Sequence, residues 1–129
     1  MSIDPGSHVP IYEQIAETIR TRISAGIYRP GDALPSLRGM ALEVVVNPNT
    51  VQRAYEALER EGLAYSRRGV GLFVTDEAVQ IARGRGRAEL VERLREDIAA
   101  ARAAGISEAT IRESFQKAMA RAPSPGGRK

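Results

Sequence analysis

The sequence predicts a mainly α chain with a small β wing: a three-helix head closed by a two-stranded hairpin, followed by a two-helix tail. Three observations carry this. Apolar residues recur at three- and four-residue intervals in separate stretches, the spacing of helix faces. Two short strand-like runs bracket a basic tip that holds two glycines. Prolines and glycines fall between these stretches, where starts, stops and turns need them.

The first helix is expected over 10–26. It opens with Pro10 at a first-turn position, closes on Gly26, and carries Ile11, Ile15, Ile19 and Ile23 as one apolar stripe. Arg29-Pro30-Gly31-Asp32 reads as a turn. Ser36 is a good N-cap for a short second helix over 36–43. After the connector Val44-Val45-Val46, Asn47 caps and Pro48 starts a third helix that runs to about residue 61, with Val51, Tyr55 and Leu58 inward and Gly62 as its stop. Two helices joined by a few residues, the second beginning with polar side chains, form a helix-turn-helix pattern. Strands are expected over 63–66 and 72–75 around Arg67-Arg68-Gly69-Val70-Gly71. From Asp76 the pattern is helical again, with Leu90, Leu94, Ile98 and Ala101 on one face and a stop at Gly105. The run Arg83-Gly84-Arg85-Gly86-Arg87 leaves two readings, since each interior glycine costs roughly 1 kcal/mol: a break into two pieces, or a single helix of about 29 residues, which the helix-like flanks favour. Ser107 caps a last helix with Ile111, Phe115 and Met119 in line, and 123–129 reads as a disordered tail. The expected organisation is a winged helix-turn-helix over 1–75, a helical segment over 76–122 and the tail.

Composition excludes much chemistry. There is no cysteine, so no disulfide or thiolate site, and the single histidine, His8, cannot build a triad or a multi-histidine metal site. No catalytic residue, metal or cofactor is expected, and the chain does not read as an enzyme. Most carboxylates are interleaved with arginines at helical spacing, as on solvated helix faces. No apolar run approaches the roughly 20 residues of a membrane span, and residues 1–10 lack the features of a signal peptide, so the default expectation is a cytoplasmic location with no membrane partner. The net charge of +3 is weak evidence for nucleic acid. Residues 1–75 hold eight arginines against eight acids, and the whole excess lies in 76–129. An RGG-type RNA-binding reading of the Arg-Gly run fails on its length and its lack of aromatics.

The order of elements, together with particular residues, resembles the GntR family of bacterial regulators. The pieces are Pro10-Ile11-Tyr12-Glu13-Gln14-Ile15, Pro30-Gly31-Asp32-Ala33-Leu34-Pro35-Ser36-Leu37-Arg38, Val46-Asn47-Pro48-Asn49-Thr50-Val51, Ala54-Tyr55-Glu56-Ala57-Leu58-Glu59-Arg60-Glu61-Gly62-Leu63 and Arg68-Gly69-Val70-Gly71-Leu72-Phe73-Val74. Together they cover about 9–75. Asn-Pro-Asn-Thr and the short tail look like the YtrA-type subgroup, whose members use about fifty residues of helices after the wing to dimerise; this chain has 54 residues after Thr75. The resemblance implies a sequence-specific DNA-binding regulator, of the repressing kind, acting as a homodimer on a near-palindromic operator, and it further suggests control of a transporter operon. In two places the chain departs from the family pattern. Gly39 stands where an acidic or polar residue is usual. Val45 stands where glycine is common, so the turn is either reshaped or strained, β-branched residues being a poor fit for positive φ.

Within this frame the third helix should enter the major groove, which is wide enough for it and carries a full base code. Its exposed early residues are Asn47, Asn49, Thr50, Gln52 and Arg53. Thr50 and the first-turn N–H groups suit phosphate, while Gln52 and Arg53 are long enough for base edges; the resemblance makes Gln52 the better base reader. The family's arginine at Arg38 reads a base, usually guanine, through its fork; the competing use is an ion pair with an acid such as Glu43. Ser36 can contact phosphate as well as cap. Arg67, Arg68 and Gly69 at the wing tip suit a minor groove or the backbone. Tyr12, Tyr55 and Tyr65 read as core or backbone-contact residues. In the tail, Leu90, Leu94, Ile98, Ile111, Phe115 and Met119 cannot all be buried by two isolated helices. They are expected either at a dimer interface or packed back on the winged helix of their own chain. Two other functions stay open: a winged helix that binds protein, and a regulator with a small-molecule effector, of unknown identity, between the tail helices.

Overall fold

A computed structural model describes residues 3–124. In chain order it contains α1 (Ile11–Ser24), α2 (Leu37–Val44), α3 (Pro48–Arg60), β1 (Ala64–Arg67), β2 (Gly71–Val74), α4 (Ala78–Ala103) and α5 (Glu108–Arg121). The chain is therefore mainly α with a small antiparallel wing, the class expected from its periodicities. It divides into two compact units, Met1–Gly86 and Arg87–Lys129.

The first unit has one core. The α1 stripe buries Ile15, Ala16, Ile19 and Ile23; α2 adds Met40, Ala41 and Val44; α3 adds Val51, Ala54, Tyr55 and Leu58. Leu63 and Val74 from the wing, with Ala78 and Ala82 from the start of α4, complete it. Each fully buried Ile, Leu or Met contributes roughly 1.5–3 kcal/mol relative to exposure, which outweighs the modest helix propensities of isoleucine and valine. Local chemistry sets the ends. Ser36 Oγ accepts from Gly39 N at 3.0 Å, and Asn47 Oδ1 accepts from Asn49 N at 2.8 Å with Pro48 in the first turn. After α3 the chain reverses at Gly62, whose φ is +83° and whose missing Cβ would stand 3.3 Å from Ile81 Cδ1. Glycine is required there for the dihedral and for the close approach of α4.

Strands β1 and β2 pair in the register Ala64↔Val74, Tyr65↔Phe73, Ser66↔Leu72 and Arg67↔Gly71. The expected turn at 29–32 is present, with Asp32 N donating to Arg29 O. The segment after it does more than the sequence suggested: Ala33 bridges Phe73, Val74 N donates to Asp32 O, and Leu34 N donates to Leu72 O. It gives the wing a third, short edge, and so ties the chain entering α2 to the wing.

The α2–α3 turn resolves the open question at Val45. Its backbone is left-handed, φ 57° and ψ 58°, and its side chain is 86% exposed. The turn has kept the glycine-like geometry and strains the valine. The Arg-Gly run is settled too: α4 passes through Gly84 and Gly86 without a break, and nothing lies near where their Cβ atoms would be. At 26 residues it is slightly shorter than expected, starting at Ala78 rather than near Asp76.

In the second unit α4 ends at Ala103, and the chain turns at Gly105, φ +82°. Ser107 Oγ accepts from Thr110 N at 3.2 Å and starts α5, as expected of it. No residue of α5 is buried. Pro123 and Ser124 follow without regular structure; the rest of the expected disordered tail, 125–129, lies outside the described residues.

Candidate nucleic-acid interface

Helix α3 turns Val51, Ala54, Tyr55, Ala57 and Leu58 into the core, which leaves Asn49, Gln52, Arg53 and Glu56 exposed and Thr50 half-buried. The Tyr55 hydroxyl donates to Pro35 O at 2.8 Å. That bond pins the residue before the α2 cap to the middle of α3, and burial pushes the phenol above its ordinary pKa, keeping it a donor. The start of α2, with Ser36 at its cap, is thereby tied to α3. Tyr55 is a core tyrosine, one of the two readings expected of it.

Arg38 is exposed and makes no ion pair among the described residues. Its expected competitor for pairing, Glu43, is engaged by Arg22 at 3.4 Å. All five guanidinium donors of Arg38 therefore remain available to a ligand.

The wing tip closes by Val70 N donating to Arg67 O at 2.9 Å, with Gly69 at φ +76°. The Arg67 guanidinium lies 4.8 Å over the Phe73 ring, and Tyr65 stacks on the same ring at 5.9 Å. Tyr65 is half-exposed, so the core half of its reading does not fit it. Ser66 Oγ donates to Glu59 at 2.9 Å and fastens β1 to the end of α3. Between α2, α3 and the wing lies an open cleft of about 620 Å³. It brings together Ser36, Gln52, Arg67, Arg68 and Gly69, from the α2 cap, α3 and the wing tip, and it includes Glu56 and Glu59. Gln52 Nε2 donates to Glu56 at 3.3 Å. The other expected residues do not line this cleft: Arg38 lies in the first turn of α2, Asn47, Asn49 and Thr50 lie at the start of α3, and Arg53 lies over the Tyr12 ring of α1, 4.1 Å from its centroid.

One feature of the scaffold escaped the sequence reading. Arg20, in the α1 stripe, is 3% exposed and meets Glu13 at 2.8 Å, Glu17 at 2.9 Å and Glu61 at 2.7 Å. Arg85 of α4 approaches Glu13 and Glu61 at 3.8 and 3.9 Å. Burial opposes the Arg20 charge, but the hydrogen bonds to Glu61 and Glu13 outweigh it and hold the guanidinium above its ordinary pKa. For Glu61 burial favours the neutral acid, and the Arg20 hydrogen bond outweighs that in turn, drawing the carboxyl below its ordinary value. Arg83 donates to Ser24 O at 3.1 Å, a cation on the carbonyl end of α1. The Glu13, Glu17, Arg20 spacing on one helical face was the available signal; Glu61, 41 residues away, was not foreseeable from pattern.

In the second unit α4 and α5 frame an apolar groove of about 660 Å³, lined by Leu94, Ile98, Ala101, Ile106, Ile111 and Phe115 among others. Leu94, Ile98 and Ile111 are half-buried, while Leu90, Phe115 and Met119 are exposed. Among the described residues no group of acids and histidine could hold a metal ion, and no helix is long and apolar enough to cross a membrane.

The family described as bacterial regulatory proteins, gntR family, matches residues 11–74, the segment that holds α1, the helix-turn-helix and the wing. The transcriptional repressor YtrA of Bacillus subtilis is 46% identical over 78 residues, 60% of this chain and 60% of that protein. The chain thus spans under two thirds of the length of this curated relative. A solved GntR family transcriptional regulator from Listeria monocytogenes superposes with a TM-score of 0.76 at 33% identity, covering 89% of this chain and 98% of that one. The crystal structure of AraR(DBD) in complex with operator ORX1 superposes with a TM-score of 0.53 at 30% identity over 58% of this chain and 93% of that one.

Proposed function

The chain belongs to the GntR family of bacterial regulatory proteins, and from that premise we propose that it is a DNA-binding transcription regulator rather than an enzyme, a cytoplasmic repressor that binds a near-palindromic operator as a homodimer. The carrying observation is the cleft in which Ser36, Gln52, Arg67, Arg68 and Gly69 meet. A duplex seated with its major groove on α3 receives Gln52 and Arg38 at base edges, while Ser36, Asn47, Asn49, Thr50 and Arg53 supply the surrounding contacts. The wing tip then reaches the adjacent backbone or minor groove with Arg67, Arg68 and the close-approaching Gly69. The AraR complex supports the reading, because a relative with the same winged helix is seen there on an operator.

Dimerisation is assigned to the second unit. Leu90, Phe115 and Met119 are exposed, Leu94, Ile98 and Ile111 are half-buried, and α5 buries nothing within one chain. A second copy would cover these faces, and a two-fold axis would require an inverted repeat in the DNA. Selecting bound sequences from a random duplex pool, beside sedimentation of the full chain, tests both parts. Inverted repeats and a dimer are expected. A monomer at micromolar concentration, or recovered sequences without symmetry, would refute the dimer reading. The α4–α5 groove also has the size of small-molecule sites, about 300–1,000 Å³. A ligand-responsive regulator is therefore the second reading, tested by small molecules that raise the melting temperature of the full chain.

A further inference from the structure

We propose that Tyr12 is a positioning residue for DNA binding, holding the Arg53 guanidinium at the α1-side edge of the recognition helix, where it takes a phosphodiester of the backbone rather than a base. The proposal rests on the DNA reading above and assigns Arg53 a chemical partner. Gln52 and Arg53 are successive exposed residues of α3, about 100° apart around the helix. They leave the helix on different flanks. Gln52 lines the cleft shared with the wing, whereas Arg53 lies on Tyr12 of α1, 4.1 Å from the ring centroid.

A helix lying in the major groove has base edges beneath its axis and a phosphate strand along each flank. A side chain drawn to the α1 flank is therefore presented to phosphate. The stacking uses only the face of the guanidinium. The N–H donors point outward in its plane, and none is spent on a hydrogen bond or ion pair among the described residues. An unsupported arginine would lose its rotamer entropy on being fixed; the ring takes up part of that ordering before DNA arrives. Tyr12 is itself half-buried in the first turn of α1 and packed against the core.

The test is a double-mutant cycle in the full chain, on the duplex recovered by selection, with binding measured across a salt series. Arg53→Ala should weaken binding by a similar factor on every single-base variant of that duplex and reduce the salt exponent by about 0.9 per half-site. Tyr12→Leu should weaken binding roughly two- to fivefold, and Tyr12→Phe, which keeps a ring, should stay close to the parent. In the Arg53→Ala background Tyr12→Leu should cost nothing more. Equal loss from Tyr12→Leu in both backgrounds means Tyr12 acts on the fold and overturns the proposal. So does an Arg53→Ala effect confined to one base pair, which makes Arg53 a base reader. If Tyr12→Leu fails to fold, Arg53→Ala, an exposed change, still decides between phosphate and base. A parent chain that binds no duplex overturns the DNA reading itself; a parent that binds with an additive cycle overturns this inference alone.

Discussion

Replacing Val45 by glycine should make the protein more stable, although it removes a side chain. Val45 sits at φ 57° and ψ 58° in the turn between α2 and α3 and is 86% exposed. A left-handed backbone costs an L-residue roughly 1–2 kcal/mol, and glycine does not incur this penalty. Against that gain stand two losses. Glycine has more freedom in the unfolded chain, worth about 0.5–1 kcal/mol. The burial lost is small, because the exposed fraction leaves only about a seventh of the roughly 1.5 kcal/mol that a fully buried valine contributes. Strain relief exceeds the losses by about 0.5 kcal/mol, and β-branching adds to the strain and so to the margin. For a winged helix of this size the expected rise in melting temperature is about 2–4 °C. The assay is urea unfolding of the full chain at one fixed protein concentration, since association would shift the midpoint by mass action. Val45→Ala, which removes the branching but keeps a Cβ, should fall between parent and glycine. A lower midpoint for glycine with an unchanged slope would refute the strain argument and make the exposed valine a stabilising contact.

Three further outcomes follow from the geometry. Arg38→Ala should cost about 1–3 kcal/mol in binding and relax preference at one base position per half-site, read by competition among single-base operator variants; uniform weakening would make Arg38 a phosphate contact. Neutralising Arg67 and Arg68 together should shallow the salt dependence of binding and leave sequence preference nearly intact, and a parent-like slope would mean the wing tip is off the backbone. Glu61→Gln should destabilise the fold by about 1–2 kcal/mol at neutral pH. Because the Glu61 carboxyl is drawn below its ordinary value in the folded chain, its contribution is present above about pH 4.5 and is lost as pH falls through the lower folded value. Parent and variant unfolding midpoints should therefore converge as the pH is lowered, and a gap that does not narrow in acid would contradict the charge-pair account.

How far the sequence reached depends on the range of the forces involved. Helix starts at Ser36, Asn47 and Ser107 were legible because capping is settled within three residues. The stops at Gly62 and Gly105, and the inward faces of α1 and α3, follow equally local rules of dihedral and period. The candidate interface was readable to the same depth: which side chains of α3 face outward is fixed by 3.6 residues per turn once Val51, Tyr55 and Leu58 point in. Only the tertiary structure decided what each outward residue lies beside. That Gln52 faces the wing and Arg53 rests on Tyr12 depends on how α1 and the hairpin pack around α3. That Val45 keeps a left-handed turn was likewise visible only in the structure, where a short connector joins two helices whose buried faces pack in one core. The Arg20 cluster and the Ala33–Phe73 bridge join residues 41 and 40 positions apart. Periodicity is blind to such pairs, because a helix pattern records which face is buried but not which charge or strand waits on the other side of the core.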